Sequence, residues 1–286
     1  MPQLPRLPKS RAPWRRCPAF GGLAAGLVLA ASSVGAIALI SVKDEIEIGR
    51  EAQVEVRKAV PQLANRAVTE YVTRVGRQLS VRAPGPKYPY SFSVANYREL
   101  NAFALPGGPV WIHRGIIHAA ANESQLAGVL AHEVAHIAER HAADQLTKQL
   151  VANGLLGLLG AVLGNGGGGA RTAQVGARIL ADGYMLKFSR DDEREADKVG
   201  VLIMQRAGWD PRGMAEFMET LRREHGRDPG SVEVFLSSHP GPGERAELLR
   251  RTIGARATGR RDSAAFRGIK ARVQKLPPPK PMKRPR

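Results

Sequence analysis

The sequence predicts an α+β fold in which helices dominate, and three observations carry that prediction. Apolar residues recur at helical spacing between Asp44 and Val81, short alternating runs fill Tyr90 to His113, and a capped apolar stripe begins at Asn122.

Asp44 to Val60 and Gln62 to Val81 read as two helices separated near Pro61, whose ring cannot continue a helix. The second carries Val68, Tyr71, Val72 and Val75 on one face, suited to packing around a further helix. Tyr90 to Asn96 alternates as a strand. Asn101 to Leu105 and Val110 to His113 are two more short runs joined by the turn Pro106-Gly107-Gly108, so a small sheet beside the helices is expected. Asn122 is a good N-cap, with Gln125 placed to complete a capping box. Leu126, Leu130, Val134 and Ile137 then form a stripe that would bury one side of the helix. Ser189 opens a polar helix. Asp210-Pro211 opens another by cap and first-turn proline, and Pro242 to Ile253 reads as a last helix carrying Arg245. Beyond Ala255 apolar content falls and Pro277-Pro278-Pro279 precedes a basic end, which reads as a flexible tail.

The 286 residues suffice for one substantial domain with appendages, and 43% apolar content excludes wholesale disorder. The net charge of +17 belongs to the two ends: residues 1–16 carry +5 and residues 245–286 carry +12. The balanced body between them is not a polyanion binder by net charge. The basic tail could touch anionic lipid or nucleic acid electrostatically, but with only Phe266 as an aromatic platform a solvated tail is preferred and no specific nucleic acid is expected. Ala19 to Val42 is uncharged and follows Arg6, Lys9, Arg11, Arg15 and Arg16, the pattern of a signal peptide or a membrane anchor with its basic flank in the cytoplasm. Residues 1–42 are therefore assigned to that segment, 43–254 to a domain that would face a bacterial periplasm, and 255–286 to the tail. Cys17, the single cysteine, excludes an intrachain disulfide and stands before the apolar stretch, out of place for lipoprotein processing. Asn153 to Ala170, with its leucines and Gly166-Gly167-Gly168-Gly169, has the composition of a mobile hairpin, whether a lid, a membrane-touching tip or a mere connection.

His132-Glu133-Val134-Ala135-His136 concentrates the chemistry. Side chains four apart on a helix lie one above the other, so His132 and His136 can share one metal ion. Glu133, offset around the axis, can face water at that metal as a general base without being a ligand. A catalytic zinc takes three protein ligands, and with one cysteine in the chain the third must be His, Asp or Glu. In Ser189 to Asp197, Glu193 and Asp197 share a helix face. Glu193 could ligate while Asp197 accepts a hydrogen bond from the outer nitrogen of a ligating histidine, although clustered carboxylates on a helix are also the pattern of a solvated face.

The pentad, the run Glu193-Arg194-Glu195-Ala196-Asp197 and the upstream Asn101-Ala102-Phe103-Ala104-Leu105-Pro106-Gly107-Gly108 together resemble the HtpX-like and BepA-like zinc metallopeptidases, relatives of the CAAX prenyl proteases. The likeness runs from about Asp44 to Arg251. It implies a zincin-type domain with the sheet bordering the active-site cleft and one Zn2+ per chain, with Glu193, and not Glu195, as third ligand. Ser238-His239-Pro240, followed by Arg245, resembles the family's His-Pro motif and makes His239 a transition-state donor or a reversible fourth ligand. The strand with Asn101, Ala102, Phe103 and Ala104 would add an extended substrate backbone to its edge. His113, His118, His141 and His225 receive no chemistry and are expected to be structural or exposed.

The resulting expectation is a zinc metalloendopeptidase with Glu133 as base, acting on misfolded or misassembled envelope proteins in the periplasm, or anchored facing it. Two other classes are weighed against it: a membrane-tethered chaperone or adaptor that binds unfolded chains without cutting them, and a nucleic-acid binder working through its basic ends.

Overall fold

The computed structural model of the chain describes residues 40–152, 187–255, 257–279 and 281–282. Among them are ten helices and three strands. In chain order these are α1 (Val42–Ala59), α2 (Arg66–Ser80), β1 (Ser91–Ala95), β2 (Ala102–Ala104), β3 (Pro109–His113), α3 (Arg114–Ala119), α4 (Glu123–Ala138), α5 (His141–Ala152), α6 (Arg190–Arg206), α7 (Arg212–Arg227), α8 (Pro229–Ser238), α9 (Pro242–Ile253) and α10 (Ala264–Lys275). The α+β class with dominant helices holds. The described residues all fall within one compact unit, Ala36–Arg286. The apolar N-terminal stretch up to residue 39, Cys17 and the Gly-rich 153–170 stretch lie outside the described residues. Among the described residues no helix is long and apolar enough to cross a membrane.

Local chemistry sets the first elements. Ser41 and Asp44 cap α1 reciprocally, and the helix ends at Val60, before Pro61. Asn65 accepts from the Val68 N–H to start α2. Between them the backbone runs extended along β1, the Leu63 N–H donating to the Val94 carbonyl (2.9 Å) and the Asn96 N–H to that of Pro61 (2.7 Å). That strip covers one side of β1. The sheet order is β1-β3-β2, with β3 parallel to β1 and antiparallel to β2, so β2 forms the other edge. The turn into β3 needs φ of +71° at Gly107 and +131° at Gly108, values a side chain opposes.

α4 departs from the amphipathic helix the stripe predicts, because all sixteen of its residues are buried. It packs against α2, β2 and β3 as well as α6 and α7. A Cβ on Gly128 would lie 2.8 Å from the Met214 Cα, so the missing side chain allows the close approach of α4 and α7. A helix enclosed on every side must satisfy its polar groups within the protein. Ser124 Oγ accordingly donates to the Asp210 carbonyl (2.6 Å). Asn122 caps the helix as expected, whereas Gln125 Oε1 accepts from the Ala121 N–H (3.0 Å), one residue before the position a capping box uses.

The segment after Ala255 departs further from its sequence reading. In place of a flexible tail it holds α10, with Phe266 and Val273 each 1% exposed. The Arg114 guanidinium donates to the carbonyls of Val273 (3.1 Å), Leu276 (3.1 Å) and Pro277 (2.7 Å). The Arg260 guanidinium lies 3.6 Å over the Trp209 ring. Two buried apolar residues in a twelve-residue helix are too weak a pattern to see, and the basic residues that do the docking read as solvated until their acceptors are known. If α10 is part of the folded body, Phe266→Ala should cost about 3–5 kcal/mol, seen as a lowered urea midpoint with an unchanged slope; a free tail would leave the midpoint where it was.

His113, 1% exposed at the end of β3, donates from Nδ1 to the Glu99 carbonyl (3.2 Å), and burial pushes its imidazole down to about 4 from an ordinary 6.5. The unfolded chain therefore binds more protons than the folded one between those values. This contribution to stability is complete above pH 6.5 and falls by up to about 3 kcal/mol as the pH drops to 4. His113→Asn keeps a donor at the Nδ1 position and does not titrate. Urea unfolding across that window should be less pH-dependent in the variant, and identical pH slopes would refute the assignment.

Candidate metal centre

Two helices bring the chemistry together. α6 starts with a reciprocal cap, the Asp192 N–H donating to Ser189 Oγ (3.1 Å) and the Ser189 N–H to Asp192 Oδ2 (2.8 Å). Gln145 of α5 donates to the same Asp192 oxygen (3.0 Å), so the start of α6 is fixed against its neighbour. Glu193 and Asp197, one turn apart, are consequently turned inward onto α4. They are 1% and 3% exposed, which rules out the solvated-face reading of this acidic run.

His132 Nε2 and His136 Nε2 approach to 3.0 Å, and each stands 3.5 Å and 3.4 Å, respectively, from an oxygen of Glu193. Two ligands that each sit about 2.0 Å from a tetrahedral zinc are about 3.3 Å apart, so these three groups have the spacing of ligands around one ion. His239 caps the end of α8, stacked on Phe235 at 4.7 Å, and its Nδ1 lies 2.9 Å from Glu193 Oε1. One donor atom from each of His132, His136, Glu193 and His239 lies within 4.8 Å of all the others.

Charge balance agrees with the spacing. Glu133, Glu193 and Asp197 are buried together, and among the described residues Arg245 is the one guanidinium buried against them. Three carboxylates against one guanidinium leave an excess of negative charge, which a protonated His132, or a divalent cation in its place, would offset. Arg245 holds Asp197 in a two-pronged contact, Nε to Oδ2 (2.8 Å) and Nη2 to Oδ1 (2.7 Å), while its Nη1 pairs with Glu193. Asp197 Oδ1 in turn lies 3.1 Å from His132 Nδ1. Burial works to raise Glu193 and Asp197, yet the neighbouring positive charges, above all His239 for Glu193 and Arg245 for Asp197, hold Glu193 far below the usual carboxylate range and Asp197 at about 2. Burial and the Arg245 charge oppose protonation of His132, but its hydrogen bonds to Asp197 and Glu193 prevail and lift it to about 9. His136 is pushed well below its usual value by burial and the His132 charge.

Glu133 is fully buried, and among the described residues neither carboxylate oxygen has a hydrogen-bond partner. Burial raises its pKa. His239 stands close by, Nε2 to Oε1 3.8 Å. A buried carboxylate with two free acceptors has an outstanding hydrogen-bond requirement, which a water or substrate proton would meet.

Asn101, Ala102, Phe103 and Ala104 lie on the sheet edge that packs against α4, with Phe103 stacked on Trp111 at 6.2 Å. The His113 N–H donates to the Asn101 carbonyl, and Phe103 is registered opposite Trp111. By antiparallel alternation the backbone groups of Ala102 and Ala104 then point away from β3.

Residues 66–253 match the model of peptidase family M48. The chain belongs to that family. The matched region begins at α2 and ends with α9, enclosing the whole cluster. The beta-barrel assembly-enhancing protease of Escherichia coli (strain K12) is 32% identical over 236 residues, covering 80% of this chain and 47% of the relative. The mitochondrial metalloendopeptidase OMA1 of Saccharomyces cerevisiae is 39% identical over 153 residues, 52% of this chain and 42% of the relative; that of Schizosaccharomyces pombe is 32% identical over 181, 63% and 52%. The chain thus spans about half the length of these M48 relatives.

Two residues without an assigned role in the sequence reading join the cluster. Arg245 is three residues into α9, and nothing in its helical spacing says which face meets α6. His141 is 2% exposed with its Nδ1 2.9 Å from His136 Nδ1. Removing the buried guanidinium should expose the charge excess: Arg245→Met is expected to destabilise the EDTA-treated protein by about 3–5 kcal/mol, read by chemical denaturation, and an unchanged midpoint would mean that the pairing contributes nothing.

Proposed function

We propose that the chain is a zinc-dependent endopeptidase in which His132, His136 and Glu193 hold one Zn2+ and Glu133 is the general base. The reading is carried by one observation: two imidazole Nε2 atoms and a buried carboxylate spaced as ligands, beside a second buried carboxylate with no hydrogen-bond partner among the described residues. Bound there, zinc supplies a Lewis acid for the scissile carbonyl and lowers the pKa of the attacking water.

The remaining steps belong to the protein. Glu133 accepts the proton of the attacking water and returns it to the departing amine, a double duty for which a carboxyl raised by burial is better matched than an ordinary one. Asp197 accepts from His132 Nδ1–H and fixes the ring with Nε2 inward. Arg245 restrains Asp197 and offsets part of its charge. His239, close to the other three groups, would donate to the oxygen that gains charge in the transition state, or would serve as a reversible fourth ligand.

β2 gives the substrate a place to lie. The outward backbone groups of Ala104, the half-buried residue of the strand, would pair with an extended peptide, while Asn101 and Phe103 keep the strand joined to β3 and Ala102 is fully buried. Recognition through backbone makes few demands on side chains and suits unfolded polypeptides. The proposed substrates are misfolded or misassembled envelope proteins, in the periplasm or at its membrane, with the N-terminal segment as tether where it is retained. A relative named for enhancing beta-barrel assembly supports that setting. A chaperone that binds without cutting is disfavoured, since binding alone gives no use for a buried, unpartnered Glu133.

On a reduced, alkylated protein substrate, Glu133→Gln should lose about 10²- to 10⁴-fold in cleavage rate with its zinc content unchanged by elemental analysis, whereas Glu193→Ala should lose the zinc itself. Equal cleavage by wild type and Glu133→Gln would defeat the proposal.

A further inference from the structure

Asp197 restrains one of the two paired histidines; the other, His136, is met by a different kind of group. His136 Nδ1 lies 2.9 Å from His141 Nδ1, and His141 Nε2 lies 3.3 Å from Glu195 Oε2. His141 is 2% exposed, while the Glu195 side chain is 58% exposed, so the contacts run from the centre to the surface. Had α4 continued as a helix, a residue five places beyond His136 would stand about 140° around the axis and face away. The chain instead breaks at Arg140, the one non-glycine among the described residues with positive φ (63°). That conformation is held from outside the turn: Arg140 Nε donates to Glu45 Oε1 (2.6 Å) and its Nη2 to the Ile40 carbonyl. Phe188 stacks on the His136 ring at 4.0 Å and 24°, leaving its Nδ1 edge to His141.

We infer that His141 is a positioning residue for His136: it accepts the His136 Nδ1–H at its own Nδ1, is itself protonated at Nε2, and passes that hydrogen bond to Glu195. The proton positions follow from the contacts. The Nε2 atoms of His132 and His136 face one another and Glu193, so a cation held there takes His136 Nε2 and leaves its proton on Nδ1. Two Nδ1 atoms at hydrogen-bond distance require one donor and one acceptor, so His141 accepts at Nδ1. Its proton then sits on Nε2, facing a carboxylate oxygen that can only accept. The two ligands are thereby held differently, His132 by a buried aspartate tied to an arginine and His136 by an imidazole ending in an exposed glutamate. Within the acidic run this gives Glu195 a use apart from its neighbours: Glu193 and Asp197 turn to the centre, and Glu195 closes the outer end.

The inference rests on the metal reading of His132, His136 and Glu193, and its test is read from zinc binding without any peptide cleavage. His141→Phe keeps ring volume and removes the acceptor; His141→Asn removes the ring and keeps an acceptor where Nδ1 was. In chelator competition with Zn2+ on the full chain, the Phe variant should bind about 10- to 100-fold more weakly than wild type, and the Asn variant should recover most of that loss. A role in packing alone predicts the reverse order, and Phe equal to or tighter than Asn overturns the inference. A second measurement needs no variant: in the ¹⁵N-histidine-labelled, zinc-loaded protein, the His141 shifts should report the Nε2–H tautomer, and the Nδ1–H tautomer would overturn the inference as well. Either failure, in a wild type that still binds zinc, leaves the endopeptidase proposal standing, because that proposal is tested by cleavage with Glu133→Gln.

Discussion

Negative charge gathered where water cannot reach is the constraint on which the rest of this structure depends. Glu133, Glu193 and Asp197 sit among the side chains of α4 and α6 with Arg245 as their buried counter-charge, an arrangement a protein tolerates only when geometry and partners are closely matched. α4 is enclosed on all sides so that its histidines are held in place by packing. Gly128 lets α7 come close enough to complete that enclosure. The cap of α6 fixes the rotation that turns Glu193 and Asp197 inward together. Scaffold and centre are thus coupled: the packing that excludes water from the carboxylates is also what makes them require a cation.

The same enclosure explains the division of labour among the acidic groups. Carboxylates beside positive charge are held ionised, as Glu193 is by His239 and Arg245 and Asp197 is by Arg245. Glu133 has no such partner within hydrogen-bond distance, and burial dominates it. Two environments a few ångströms apart therefore separate groups fit to hold a cation from one fit to exchange a proton.

Much of the centre was legible because it obeys helical arithmetic. His132, Glu133 and His136 fall on α4 at the expected places, and Glu193 and Asp197 share a face of α6 as their four-residue interval requires. The caps at Asn122 and Ser189 are local interactions between residues three apart, which sequence displays directly. What escaped notice depends on contacts distant in sequence. His141 reaches His136 only because the backbone reverses at a left-handed Arg140, and that reversal is held by Glu45 and Ile40 nearly a hundred residues earlier. The short helices α3 and α8 lack a clear stripe of their own. α10 was invisible because Arg114, far upstream, supplies the donors for its last carbonyls.

The docking of α10 changes how the basic end of the chain behaves electrostatically. Composition makes residues 245–286 a reservoir of positive charge, and a solvated reservoir would draw polyanions at a distance. Much of the charge is already engaged. Arg245 is buried on the acidic cluster, Arg260 lies on Trp209, Arg261 pairs with Asp210 and Glu216, and Arg250 pairs with Glu219. Arg267 pairs with Asp262, and Lys270 donates to the Ala120 carbonyl (2.5 Å). Cations held in this way project a weaker and more local field than their number implies. Among the described residues, Arg260, Arg261 and Lys270 thus act as docking groups that fasten the segment around α10, which packs on α2 and α3, to the body.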